Sequence, residues 1–144
     1  MPRPARRPDV GAMGLHRFAV RISAAEAIER LKSAAAAVPM GIVAHIDGQA
    51  NCANKGIQVA RDQILEIFRP DFAVKVWAAD KRAGLDIPIR IHVCEHEDRT
   101  WITCRLPTAI FAPYGNPALG AVGHELDAIF LQILATLRDE KESM

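Results

Sequence analysis

The sequence predicts an α+β domain built on an antiparallel sheet of about five strands, with a long helix near the C-terminal end. Three observations predict it. Two neighbouring runs, 87–94 and 101–106, alternate apolar and polar residues at period two and are joined by a polar turn. A stretch with helical spacing follows a capping signal at Ser23, and a second one fills 118–140. Half of the 144 residues are hydrophobic, enough for a single core without disulfide or metal staples.

Taken in order, 1–14 is rich in Pro and Arg and lacks the apolar stretch of a signal peptide, so it reads as a disordered leader. The domain is expected over 15–140. In 15–22, Phe18, Val20 and Ile22 share one strand face and Arg17 and Arg21 the other. Ser23 followed by Glu26 forms a capping box. The helix behind it sets Ala27, Ile28, Leu31, Ala34, Ala35 and Val38 in one stripe and stops at Pro39, which has no amide to donate.

The segment 40–47 reads as a strand with Ile42, Ala44 and Ile46 facing inward, and 48–56 as a loop or one short helical turn. A third strand covers 63–68. Pro70 opens a helix continued by Phe72, Val76, Trp77 and Ala79, and Gly84 ends the segment.

The two alternating runs form a hairpin around the turn at 96–99. Opposing apolar faces pairs Val93 with Ile102, Ile91 with Cys104 and Ile89 with Leu106. That register points Cys104 inward and Cys94 outward beside Trp101, so the two form no disulfide. The segment 107–117 reads as an irregular, proline-punctuated connection. The last helix spans 118–140, with Leu119, Val122, Leu126, Ile129, Phe130, Ile133, Leu134 and Leu137 at helical spacing, and 141–144 is a frayed tail.

Composition narrows function. Eighteen basic residues against 17 acidic ones leave a formal charge of +1, which argues against a general nucleic-acid binder. Three cysteines do not make a secreted disulfide framework. No apolar run approaches the ~20 residues of a bilayer span. A cytoplasmic protein with no membrane partner is the resulting expectation.

Several phrases carry a family resemblance: Ile46-Asp47 followed by Gln49-Ala50-Asn51, the strand 63–68 ending in Arg69-Pro70, and above all Gly84-Leu85-Asp86-Ile87-Pro88-Ile89-Arg90 before the hairpin. With them the chain, from about Arg17 to the last helix, resembles the bacterial and archaeal proteins grouped as domain of unknown function 302. The resemblance implies helices packed on one face of an antiparallel sheet, in a chain that often dimerises, and no established catalytic activity. The chain departs from the pattern at Phe68-Arg69, where relatives often carry Gly-Asn, and at Gly48, where they often carry histidine.

Three sets of side chains are candidates for chemistry. His92, Cys94 and His96 recur at i, i+2 and i+4 along a strand, a spacing that can gather imidazole and thiolate donors for zinc, or serve haem. No fourth ligand is evident, and no cofactor is expected on the leading reading. The second set is the outward hairpin face, where Arg90, His92, Trp101, Thr103 and Arg105 gather. A tryptophan between arginines is typical of recognition surfaces, unless the last helix folds over it. Asn51 in the loop after the second strand joins this set as a binding residue. The third is Cys52 with His45 as its local base, the one nucleophile pairing available.

Other motifs fall away. His124-Glu125 lacks a second histidine one turn on, where Ala128 stands, so the zinc-protease helix fails. The leading expectation is therefore a homodimeric module binding an unknown partner or small molecule, with no catalytic constellation.

Overall fold

The structure, a computed structural model, describes residues 12–138. Most of the expected leader, the expected helix end at Glu140 and the tail after it lie outside the described residues. Five strands form one sheet: β1 (Leu15–Val20), β2 (Gly41–Asp47), β3 (Asp62–Phe68), β4 (Ile89–His96) and β5 (Arg99–Arg105). Every neighbouring pair is antiparallel, in the order β1-β5-β4-β3-β2. The helices are α1 (Ala24–Ala37), α2 (Gly48–Ala53), α3 (Pro70–Ala79), α4 (Pro107–Phe111) and α5 (Pro117–Ala135).

Local chemistry accounts for most boundaries. The Ser23 hydroxyl accepts the Glu26 amide at 3.1 Å, and the Glu26 carboxylate bonds Arg30 one turn on. Ala27, Ile28, Leu31, Ala34 and Ala35 are buried as the stripe requires. At roughly 1.5–3 kcal/mol for each fully buried large aliphatic side chain, Ile28 and Leu31 dominate the anchoring of α1. Pro70 occupies the first turn of α3, while the Arg69 guanidinium bonds the Pro39 carbonyl at 2.8 Å and forks onto Asp71. The helix stops at Ala79, before the expected Gly84, because the Asp80 carboxylate caps a separate 3-10 turn (Lys81–Asp86).

The β4–β5 register pairs Val93 with Ile102 and Ile91 with Cys104, as apolar matching predicts. The turn is tighter than the four residues expected: Glu97 and Asp98 alone bridge the strands, both with positive φ (53° and 61°), the twist that suits a two-residue hairpin. The third expected pair does not form. Leu106 leaves the ladder, and its amide donates to the Gly14 carbonyl at 3.1 Å.

Three further expectations are corrected. In β2 the register shifts between Ile42 and Ala44, so Ile42 lies opposite Ile67 while Ala44 and Ile46 lie opposite Glu66 and Ile64. The extra residue of this bulge reverses the faces after it. Ala44 and Ile46 therefore point away from the core, and Ile46 is 39 % exposed. The connection after β5 is not irregular throughout. Pro107 starts α4, and Asp127 reaches from α5 to accept the Thr108 amide at 3.0 Å and its hydroxyl at 2.6 Å, the role a side-chain N-cap would otherwise fill. The last helix ends at Ala135, where the Thr136 hydroxyl turns back onto the Ile133 carbonyl at 2.7 Å.

One core results. Phe18, Leu65, Ile91, Val93 and Ile102 from the sheet meet Ile28 and Leu31 of α1, Phe72 and Val76 of α3, and Leu126, Phe130 and Ile133 of α5. By length and composition α5 is apolar enough to cross a membrane, at mean hydropathy 1.3 over its window, which qualifies the expectation that no run approaches a span. Its buried residues, Leu119, Val122, Leu126, Phe130, Ile133 and Leu134, are part of this core. Because α5 packs against α1, α3 and α4, it does not fold over the outward hairpin face. Among the described residues no helix covers that face of the sheet.

Candidate functional site

The strand registers lay out the open face as rows. Cys94 lies opposite Trp101 on β5 and opposite Asp62 on β3; Trp101 in turn lies opposite Ala19 on β1. In the next row Thr103 stands between Arg17 and His92, and His92 lies opposite Ile64. Beyond it, Arg90 lies opposite Glu66 and the two are ion-paired at 3.6 Å, with exposed Arg105 on β5 at the same end. Antiparallel neighbours in such rows stand close enough for side chains to interact directly.

Trp101 is the central large side chain. The Arg17 guanidinium stacks over its ring at 3.8 Å from the centroid, a cation–π contact. Its indole N–H is buried and meets no acceptor among the described residues. Most buried donors are bonded, and one left unmet costs about 1–3 kcal/mol. Beside it, burial pushes the Cys94 thiol up, the Asp62 carboxylate adds to that shift, and the Arg17 guanidinium opposes it.

Asp62 is the residue that sequence reasoning missed. Its Oδ1 lies 2.9 Å from His92 Nε2. Donor atoms of Asp62, His92 and Cys94 all fall within 4.8 Å of one another. No periodicity points to Asp62; its signal is the pairing of β3 with β4, which a single sequence does not display. His96 is not brought into the group. It lies at the hairpin end, exposed, with Nε2 3.5 Å from Glu97, and lines an open depression of about 640 Å³ with Arg21, Ser23 and Arg99.

The remaining candidates lie elsewhere. His45 on β2 bonds the Gln63 side chain, on the core side of the sheet opposite Leu65. Cys52 is half-buried in α2, where its carbonyl accepts the amides of Lys55 and Ile57. No hydrogen bond joins Cys52 to His45 among the described residues. Asn51 is exposed on α2 but is not among the lining residues of the groove of about 400 Å³ formed by Gln49, Ala50, Ala53, Ile57 and Val59. All three cysteines are free, and Cys104 is buried on the inner face, opposite in orientation to Cys94.

Residues 16–137 match the family described as Domain of unknown function DUF302. The chain belongs to the DUF302 family. The crystal structure of an uncharacterized conserved DUF302 protein from Bacillus stearothermophilus is similar in fold, with a TM-score of 0.77 at 22 % identity, over 90 % of this chain and 99 % of that one. No curated protein matches the sequence. At that identity the structural likeness establishes the shared fold, and the DUF302 chain's own open face remains the basis for any functional argument.

Proposed function

We propose that this DUF302 protein is a self-associating binding module whose open sheet face docks a second copy of the chain. The observation that carries the proposal is the face itself, which no helix covers among the described residues. Trp101 sits on β5, one strand from the central β4, with arginines on its side of β4 and carboxylates on the other. Arg17 and Arg105 stand on β1 and β5, whereas Asp62 and Glu66 stand on β3. A two-fold axis along β4, midway between two stacked copies, sets the basic half of each over the acidic half of the other. Such a patch is self-complementary, as an isologous interface requires. Sheet faces stacked in this way bury alternate residues of each strand, here Trp101, Cys94, Ile64 and Ile46.

The test is the oligomeric state of the double variant Trp101→Ala/Arg105→Ala, measured by sedimentation velocity over a concentration series. The parent is expected to dimerise. A central tryptophan typically contributes ~2 kcal/mol or more, or about 30-fold in the dimer dissociation constant, and the variant should shift toward monomer with an unchanged circular dichroism spectrum. A monomeric parent, or a variant that dimerises as the parent does, overturns the reading.

A further inference from the structure

We propose that Asp62, His92 and Cys94 form a binding site for a divalent transition metal of the zinc type, on the open face of the sheet. The proposal goes beyond the self-association reading and stands without it, because all three donors belong to one chain.

Geometry comes first. Asp62 and Cys94 are direct partners across the β3–β4 ladder, and His92 precedes Cys94 by two residues on the same face. The site is therefore held by two paired strands whose opposite sides, Gln63, Leu65, Ile91 and Val93, are locked in the core. Such backing fixes the positions from which the donors project. No two of the donor atoms are more than 4.8 Å apart, and the Asp62–His92 separation is 2.9 Å. Around zinc at its usual bond lengths, tetrahedral donors stand roughly 3.3–3.7 Å apart. Closing the set takes side-chain movements of at most about an ångström between any two donors and no change of the strands.

Donor chemistry selects the ion. One carboxylate oxygen, one imidazole nitrogen and one thiolate sulfur suit zinc and its neighbours, whereas magnesium and calcium take oxygen ligands. Three protein ligands also match the pattern of zinc sites that keep one position open. His92 and Asp62 side chains are 39 % and 55 % exposed, so an ion has a path in and the remaining position faces outward. The 2.9 Å contact taken alone is a surface ion pair of small value. The thiol of Cys94 at the same point, half-buried and unbonded to Cys104, turns the pair into a three-donor set.

The experiment uses the full chain, stripped of metal and kept reduced, titrated with zinc by calorimetry and with cobalt(II) by absorption. One ion should bind per chain, and cobalt should show the near-ultraviolet thiolate charge-transfer band together with the intense visible bands of a low-coordinate site. Cys94→Ser should remove the thiolate band, and Asp62→Asn or His92→Ala should each weaken binding by at least about tenfold. All three positions lie on the open face, so each variant should fold, and circular dichroism checks it. Cys52→Ser and His96→Ala should leave the cobalt spectrum unchanged. The proposal is overturned if neither ion binds stoichiometrically, or if binding survives Cys94→Ser, Asp62→Asn and His92→Ala undiminished. It is equally overturned if His96→Ala abolishes binding while Asp62→Asn does not. The outcome is kept separate from the dimer test by titrating the Trp101→Ala/Arg105→Ala variant beside the parent, because that variant keeps all three donors and loses the contacts proposed to cover them.

Discussion

Two glycines of α5 should respond to the same substitution with opposite sign. Gly120→Ala and Gly123→Ala each exchange a poor helix former for the best one, a gain of about 0.5–1 kcal/mol where the added methyl meets nothing. At Gly120 a Cβ meets no atom within 4 Å, so that gain should appear undiminished. At Gly123 the new Cβ would stand 3.2 Å from Thr108 Cα, 3.3 Å from the Thr108 nitrogen and 3.3 Å from the Phe111 ring. Whether those neighbours can withdraw decides the outcome. Thr108 is held by both oxygens of Asp127, and Phe111 is 2 % exposed within the core. Overpacking against fixed groups costs about 1–3 kcal/mol, more than the helix gain. Gly123→Ala should therefore be about 1 kcal/mol less stable than the parent, and the two variants about 2 kcal/mol apart. In thermal melts that gap corresponds to roughly 6–8 °C for a domain of this size. Urea denaturation with a common slope gives the same comparison at constant temperature. If Gly123→Ala proves as stable as Gly120→Ala, α4 yields freely and the Asp127 clamp is not the rigid element described above.

The clamp itself is testable: Asp127→Ala removes two charge-assisted hydrogen bonds at the start of α4 and should lower stability by about 2 kcal/mol, and a loss below about 0.5 kcal/mol would show the contact to be incidental. The core thiol predicts an alkaline weakness. Burial, with a smaller contribution from the Asp127 charge, pushes Cys104 up from its ordinary 9.0 to about 12. The folded chain keeps this proton where the unfolded chain releases it, so the contribution is fully present below pH 9.0 and falls away as pH rises toward about 12. The decline is at most about 1.4 kcal/mol per pH unit. Stability curves of the parent and Cys104→Ala between those limits check it, the variant showing the shallower slope; equal slopes would refute the assignment to Cys104.

Short-range chemistry was legible in the chain. Ser23 accepting the Glu26 amide, Pro70 opening α3 and the β4–β5 register each depend on residues within a few positions, or on matching two adjacent alternating runs. The same register put Cys94 and Cys104 on opposite faces and gathered Arg90, His92, Trp101, Thr103 and Arg105 on one. Matching apolar against apolar is sufficient there because a slip by one residue would bury charge.

Tertiary structure decided what those rules do not reach. The bulge at Val43 turned Ala44 and Ile46 outward, since one extra residue reverses a face while leaving the composition of the strand unchanged. Asp127 made a helix of a stretch that reads as a connection, by capping it from 19 residues away. Inserting β5 between β1 and β4 set Arg17 over Trp101, and pairing β3 with β4 brought Asp62 to His92 and Cys94. The sequence by itself determined the faces of β1, β4 and β5 and the starts of α1 and α3, because sterics and capping act between near neighbours. Which strands joined the β4–β5 hairpin on either side, and hence which side chains share its outward face, was decided only when the helices closed over the other side and buried one core.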